Sequence, residues 1–156
     1  MKGVKIIEHK KGAPLFRLMG LGPNFFFARS ISQLKRLFDE NAFWATNRSK
    51  KDIKRMLANS SCVVSAWKED VLIGFGRATS DKVFRAVIWD IIVAKEVQKC
   101  GLGKSLVDSL LKSKSLARAE KVYIMTTNCK DFYTSCGFKP LINQSCLVIN
   151  NIDKLN

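Results

Sequence analysis

The segment from Gln98 to Ser105 has the composition and spacing that most directly suggest chemistry. It reads Gln98-Lys-Cys-Gly101-Leu-Gly103-Lys104-Ser105 and lies between an apolar stretch and an amphipathic one. If the second stretch is a helix, its first backbone N–H groups have no partner inside the helix, and the helix dipole adds positive potential there. Glycines allow a tight turn and let a phosphate approach the backbone closely. The segment therefore predicts an anion-binding loop.

Three kinds of phosphate loop compete for this segment. A dinucleotide-binding fingerprint requires glycine or alanine where this chain has Leu106. Gly103-Lys104-Ser105 matches the end of a nucleotide-hydrolase P-loop, but Gln98 replaces the first glycine of that motif. The next apolar stretch, Val122–Thr126, also ends without the acidic residue that would hold magnesium. The third pattern, Q-x-x-G-x-G, is a loop for the diphosphate of coenzyme A, and all of its required positions are present.

Hydrophobic periodicity indicates the elements that must position this loop. Strands are predicted over 4–8, 61–67, 71–79, 84–93 and 122–126, and residues 138–149 are expected to close the sheet. Helices are predicted from Ser30, where Ser30-Ile-Ser-Gln33 has the form of a capping box, from Ser49, from residue 102, and over 128–136. The order is typical of an α+β fold with one internal crossover, in which helices flank a mixed, mainly antiparallel sheet.

Composition limits the classes of protein that fit. The 156 residues are 47% hydrophobic and 26% charged, which predicts one soluble domain over 1–156. No apolar stretch approaches the ~20 residues of a membrane helix, and no cleavage site follows the apolar residues near 15–27, so we expect neither a membrane partner nor secretion. Five cysteines without a C-x-x-C pair and a single histidine argue against a metal site and favour a reducing compartment.

The net charge of +14 is unusual for this length. Lysines and arginines are scattered through the sequence rather than gathered in a tail, and no aromatic RNA-binding signature accompanies them. A solvated basic surface explains this pattern better than nucleic-acid binding does.

Several stretches together resemble the GNAT superfamily of N-acetyltransferases. They are Ala78-Thr-Ser-Asp81, Trp89-Asp-Ile-Ile-Val93, Gln98–Gly103 and Asn128…Asp131-Phe-Tyr133…Gly137-Phe138. The resemblance is clearest over 31–140. Within the superfamily, the chain resembles in particular a cyanobacterial and plastid branch that includes plant plastid serotonin and protein-lysine acetyltransferases. It implies a GNAT fold in which acetyl-CoA occupies a V-shaped opening between two splayed parallel strands.

The resemblance also implies roles for particular residues. Ile91, Ile92 and Val93 would offer backbone hydrogen bonds to the pantetheine arm. The loop would wrap the diphosphate through Gln98, Lys99, Cys100, Gly101, Leu102 and Gly103, with Lys104 at the mouth of the site. Asn128 and Tyr133 would contact the coenzyme, and Tyr133 lies where the family commonly has its general acid. A phenol with a pKa of about 10 can protonate a departing thiolate, although packing beside Phe132 is an alternative role.

The sequence leaves the identity of the general base open. Asp90 and Asp81 are candidates, but an aspartate at a strand end more often serves a turn, and water can take the proton instead. Phe25, Phe26, Phe27 and Trp44 either line a pocket for an aryl amine or, as we favour, pack in a core or interface.

The expected function is direct transfer of an acetyl group from acetyl-CoA to a primary amine, either a small arylalkylamine or a protein lysine. A non-catalytic coenzyme A-binding regulatory module and a basic nucleic-acid-binding protein are the alternatives. The resemblance further implies the cytoplasm of a cyanobacterium-like cell or a plastid, and a possible homodimer.

Overall fold

A five-stranded mixed sheet with helices on both faces organises the chain. The computed structural model describes residues 3–149. The strands follow one another across the sheet in chain order; the first four pair antiparallel, and the last two are parallel. The elements are β1 Val4–His9, α1 Pro14–Met19, α2 Ser30–Asn41, α3 Lys50–Ala58, β2 Cys62–Lys68, β3 Val71–Ser80, β4 Arg85–Val93, α4 Leu102–Lys112, β5 Lys121–Ile124 and α5 Lys130–Ser135.

The helices lie on opposite faces of the sheet because neighbouring residues of β3 point in opposite directions. Phe75 packs against Phe38 of α2, with ring centroids 5.8 Å apart. Its neighbours Gly74 and Gly76 face α4: a Cβ atom on either would lie within about 3.2 Å of Leu106 or Leu110. Glycine at these two positions therefore lets α4 pack directly on the sheet backbone.

Burial confirms most of the predicted elements. The apolar stripes of α2, α3 and α4 face the core, and the side chains of β2 from Cys62 to Trp67 are all buried. Ser49 caps α3 as predicted, since its side chain accepts a hydrogen bond from the Asp52 N–H.

The predicted capping box at Ser30 is wrong. Arg29, in a left-handed conformation, precedes the helix, and Ser30 is its first residue. The Ser30 hydroxyl is buried and donates to the Phe16 carbonyl at 2.8 Å, which ties α2 to α1. Gln33 bonds the backbone of Ala28, Asp70 and Leu72 instead of the helix start. Both side chains join separate segments, which a local pattern cannot reveal.

The prediction that residues 138–149 close the sheet is also wrong. This segment forms no strand within the described part of the chain. Pro140 has no N–H for a ladder, and the polar run Asn143-Gln-Ser145 interrupts the apolar alternation. Exposed apolar side chains also occupy the segment, with Ile142 and Leu147 more than 90% exposed.

The chain divides into two compact units at the boundary between Met125 and Thr126. The first contains the sheet and helices α1 to α4, and the second contains α5.

Candidate active site

The pairing of the two parallel strands ends half-way along β4, where β5 itself ends. Their pairing runs from Arg85 opposite Lys121 to Ile88 opposite Ile124 and stops there. β4 continues to Val93, so the edge of residues 89–93 that faces away from β3 has no strand partner among residues 3–149. This open edge lies where the splay between parallel strands is predicted, and the Val93 carbonyl on it already accepts the Gln98 side-chain amide.

A β-bulge at Asp90 shapes the unpaired part of β4. Arg77 pairs with Trp89 and Phe75 with Ile92, so Asp90 and Ile91 together stand opposite Gly76. Asp90 has a φ of 53°, a left-handed conformation that is costly for most residues. The extra residue bends the strand where it leaves β5.

Two arginines hold the Asp90 carboxylate. The Nε of Arg77 lies 2.6 Å from one carboxylate oxygen, and an Nη of Arg48 lies 3.3 Å from the other. The Asp90 side chain is only 6% exposed. A buried carboxylate with both oxygens bound by guanidinium groups serves to fix the bulge and is a poor candidate for the general base.

The Asp81 carboxylate also has a structural role, in the turn between β3 and β4. One carboxylate oxygen accepts the backbone N–H groups of Val83, Phe84 and Arg85 at 2.8 to 2.9 Å, which closes the turn between β3 and β4. These bonds, the one from Arg85 first, lower the pKa of Asp81. A carboxylate with a lowered pKa accepts a proton less readily, which argues against Asp81 as the general base.

The glycine loop begins with a 3₁₀ turn at Lys95–Val97 and ends at Gly101, which precedes α4. Lys99 and Gly101 both have positive φ, 62° and 83°, and a Cβ atom on Gly101 would meet open space. Gln98 and Cys100 turn back onto the loop: the Gln98 amide donates to the Val93 carbonyl, and the Cys100 thiol donates to that of Val97. Their side chains therefore brace the loop.

The start of α4 carries unpaired backbone donors. Ser105 is the first residue whose N–H bonds to the preceding turn, at 3.1 Å from the Gly101 carbonyl. Within residues 3–149, no acceptor reaches the N–H groups of Leu102, Gly103 and Lys104. The Leu102 side chain is buried and anchors this turn, so only its N–H faces a ligand. Three converging donors at a helix start, with Lys99 and Lys104 exposed nearby, suit a diphosphate.

Asn128 and Tyr133 lie in the second unit, beside and within α5. The Tyr133 ring makes edge contacts with Phe132 and Phe138. Burial, with smaller contributions from Cys129 and Cys136, raises the pKa of Tyr133 to about 12, so the phenol keeps its proton throughout the neutral range and is a weaker acid than a free phenol. Asn128 is exposed.

The remaining predicted aromatic residues are at the surface. Phe25, Phe26 and Phe27 are 54 to 75% exposed and Trp44 is 50% exposed, so they do not pack in the core, and packing in an interface stays a prediction. Among residues 3–149, no three His, Cys, Asp or Glu side chains are placed to share a metal ion. Within the same residues, no helix has the length and apolar character needed to cross a membrane.

Sequence comparison identifies the family to which this chain belongs. Residues 31–138 match the Acetyltransferase (GNAT) family. This chain is a member of the GNAT family. Its fold agrees: a GNAT family acetyltransferase from Streptococcus pneumoniae superposes with a TM-score of 0.69 at 19% identity, covering 94% of this chain and 98% of that one.

The narrower resemblance to a plastid and cyanobacterial branch of GNAT proteins is confirmed by relatives. The chain is 33% identical to the uncharacterized N-acetyltransferase ycf52 of Pyropia yezoensis, over 70% of this chain and 64% of that protein. It is 35% identical to a ycf52-like protein of Prochlorococcus marinus, over 69% and 62%. A chloroplastic GCN5-related N-acetyltransferase of Arabidopsis thaliana is 40% identical over 46% of this chain and 28% of that protein. The chain thus spans less than two thirds of the length of these relatives.

Sequence reasoning missed Arg48 and Arg77, which bind the Asp90 carboxylate at the bulge of β4. They lie 42 and 13 positions before Asp90, and nothing in the local sequence links them to it. Only the pairing of β3 with β4 and the packing of the segment before α3 bring them together.

Proposed function

We propose that this chain transfers an acetyl group from acetyl-CoA to a primary amine within a ternary complex. The observation that carries the proposal is the edge of β4 beyond Ile88, where pairing with β5 ends, directly ahead of a helix start with three unpaired N–H groups. Membership of the GNAT family supports the same activity.

The proposed coenzyme site uses the backbone more than side chains. The N–H groups of Leu102, Gly103 and Lys104 donate to the diphosphate, and the charges of Lys99 and Lys104 strengthen the attraction. Glycine at 101 and 103 leaves room for the close approach. The unpaired edge of Ile91–Val93 lies along the pantetheine arm, and Asn128 adds a polar contact.

The chemistry assigned to the protein is charge stabilisation and proton transfer. Acetyl-CoA supplies an acetyl group activated as a thioester. The neutral amine nitrogen attacks the carbonyl carbon, so a C–N bond forms as the C–S bond breaks. Backbone N–H groups on the unpaired edge of β4 stabilise the oxyanion. The Tyr133 hydroxyl gives its proton to the departing thiolate and regains one from water, and the amine loses its extra proton to water, since Asp81 and Asp90 are engaged elsewhere.

The acceptor in this proposal is an arylalkylamine or a protein lysine. The names of the relatives support action in a plastid or in the cytoplasm of a cyanobacterium-like cell. We extend the proposal to one catalytic domain over the whole chain and to a homodimer, which the family resemblance implies.

Tyr133→Phe tests the mechanism in a thiol-release assay with acetyl-CoA, mixed arylalkylamines and a lysine peptide. We expect kcat to fall about a hundredfold, because the proton donor is removed while the ring stays packed. The chain's other tyrosine, Tyr123 on β5, gives the matched control, and Tyr123→Phe should leave kcat within about twofold. Full activity in Tyr133→Phe would remove this residue as the acid.

The same assay separates the alternative functions. Calorimetric binding of acetyl-CoA without turnover of any amine would mean a non-catalytic coenzyme A-binding module. Steeply salt-dependent binding of DNA or RNA, with no heat from acetyl-CoA, would mean a nucleic-acid-binding protein. Either result overturns the proposed transfer.

A further inference from the structure

A cavity of about 370 Å³ lies between β1, α1 and the segment 21–25. Its floor includes the buried side chains of Ala13 and Phe16, and its walls include Leu15, Leu21 and Phe25. Cavities of this size with mostly apolar walls and a few polar groups are typical of small-molecule sites.

His9 is the polar side chain deepest in this cavity's wall. Its Nε2 lies 2.7 Å from the hydroxyl oxygen of Ser65, which also accepts the indole N–H of Trp67 at 2.8 Å. Indole can only donate, and the buried Ser65 hydroxyl has no acceptor other than His9 Nε2 among the described residues, so its proton points to Nε2. That arrangement makes His9 the Nδ1–H tautomer. No hydrogen-bond partner reaches Nδ1 among the described residues, so a residue that lines the cavity retains an unused N–H.

Charge at the cavity favours an anion. Lys5 and Lys10 contribute two positive charges and Glu8 one negative charge. Lys5 donates to the Asn24 side chain at 2.6 Å, which holds its ammonium group beside the 21–25 segment. The rim is therefore cationic, while Leu15 and Phe25 remain 42% and 75% exposed around it.

The cavity is separate from the unpaired edge of β4. Three strand spacings separate β1 from β4 in the sheet, about 14 Å. None of the cavity's lining residues belongs to β4, to the glycine loop or to α4. A ligand here would not occupy the proposed coenzyme site.

We propose that this cavity binds a small amphipathic monoanion, with its apolar or aromatic body against Phe16 and Leu21 and its anionic end at His9 Nδ1–H and Lys10. The site is independent of acetyl transfer.

Calorimetric titration with 4-phenylbutyrate tests the site, with 4-phenyl-1-butanol and 4-phenylbutylamine as neutral and cationic analogues of the same shape. We expect the carboxylate to bind at least tenfold more tightly than the alcohol and the amine to give no heat. Backbone amide shifts on adding 4-phenylbutyrate should fall in residues 5–25 and not in residues 98–104.

Three variants locate the binding. The first two are each paired with a control that makes the same substitution at a nearby position outside the cavity lining. Leu15→Trp fills the cavity and should abolish binding, whereas Leu18→Trp, on the same helix but outside the lining, should not. Lys10→Met should weaken binding at least threefold and the adjacent Lys11→Met should not. His9→Phe removes the donor while keeping an aromatic ring and should also weaken binding.

Several results would overturn the proposal. They are absence of 4-phenylbutyrate binding to the folded wild type, equal affinity for carboxylate and amine, and unchanged binding in Leu15→Trp. Competition by saturating coenzyme A, with shifts in residues 98–104, would place the probe at the glycine loop and also reject this site. If Leu15→Trp fails to fold, Lys10→Met and the amide shifts decide whether the probe binds in this cavity.

Discussion

The Asp90 carboxylate lies between two guanidinium groups, and that placement determines what its removal should do. Asp90→Asn keeps the shape of the side chain but leaves the partly buried Arg77 and Arg48 without a counter-charge. We expect the free energy of unfolding to fall by about 2 to 3 kcal/mol, measured by urea denaturation. Asp39→Asn, which breaks an exposed pair with Lys35, should cost less than about 1 kcal/mol.

The Asp90→Asn variant also distinguishes a structural carboxylate from a catalytic base. Loss of a base would lower kcat strongly and leave the urea midpoint unchanged. A fall in stability with a kcat that retains its wild-type pH profile is the outcome that fits the arginine clamp.

His9 makes the stability of the fold depend on pH. Burial lowers the pKa of His9 from 6.5 to about 4, so between these pH values the unfolded chain binds a proton that the folded chain does not. Stability should therefore be complete above pH 6.5 and fall as the pH drops toward 4, by at most about 1.4 kcal/mol per pH unit. Urea denaturation at pH 7.0, 6.0 and 5.0 measures the slope.

His9→Gln is the control for this slope, because the chain has a single histidine. The variant should lose most of the pH dependence between 6.5 and 5. If both proteins show the same dependence of stability on pH, groups other than His9 cause it.

At the scale of elements, the start of α4 allows the diphosphate site to be tested without damaging the helix. Gly103→Val places a branched side chain beside the free N–H groups, while valine has a higher helix propensity than glycine. We expect coenzyme A affinity to fall at least tenfold by calorimetry, with an unchanged or slightly higher melting temperature. Ser109→Val, two turns further along α4, should leave affinity unchanged. Wild-type affinity in Gly103→Val would remove this turn from the coenzyme site.

The elements differ in how well sequence patterns predict them. The helices α2 to α4 are predicted because each buries one apolar stripe, and the strands from Cys62 to Val93 are predicted because they are apolar runs with many buried side chains. The α1 segment is not, because Ala13 enters this short helix through a left-handed conformation without a capping side chain. The turn before α4 is predicted because its left-handed backbone at Gly101 requires a residue type that the sequence shows directly. The arginine clamp on Asp90 depends on contacts between distant segments and has no local signal.

At the scale of the whole molecule, the net charge of +14 affects any anionic ligand. Coenzyme A carries several phosphate charges, so its attraction to the protein should weaken as salt screens both partners. Raising ionic strength from about 0.05 to 0.5 M should lower its affinity at least threefold by calorimetry. Pantetheine, which lacks phosphate, serves as the neutral control and should show no change. A salt-independent affinity for coenzyme A would mean that the basic surface plays no part in binding.

The three consecutive phenylalanines at 25 to 27 have a consequence for the behaviour of concentrated preparations. In dilute buffer, molecules of high like charge repel one another and the exposed rings stay apart. At about 1 M salt the Debye length shrinks to about 3 Å, shorter than the reach of these rings. High salt should therefore make the molecules associate through these rings. The protein is best kept at low ionic strength and concentrated only with uncharged polymers.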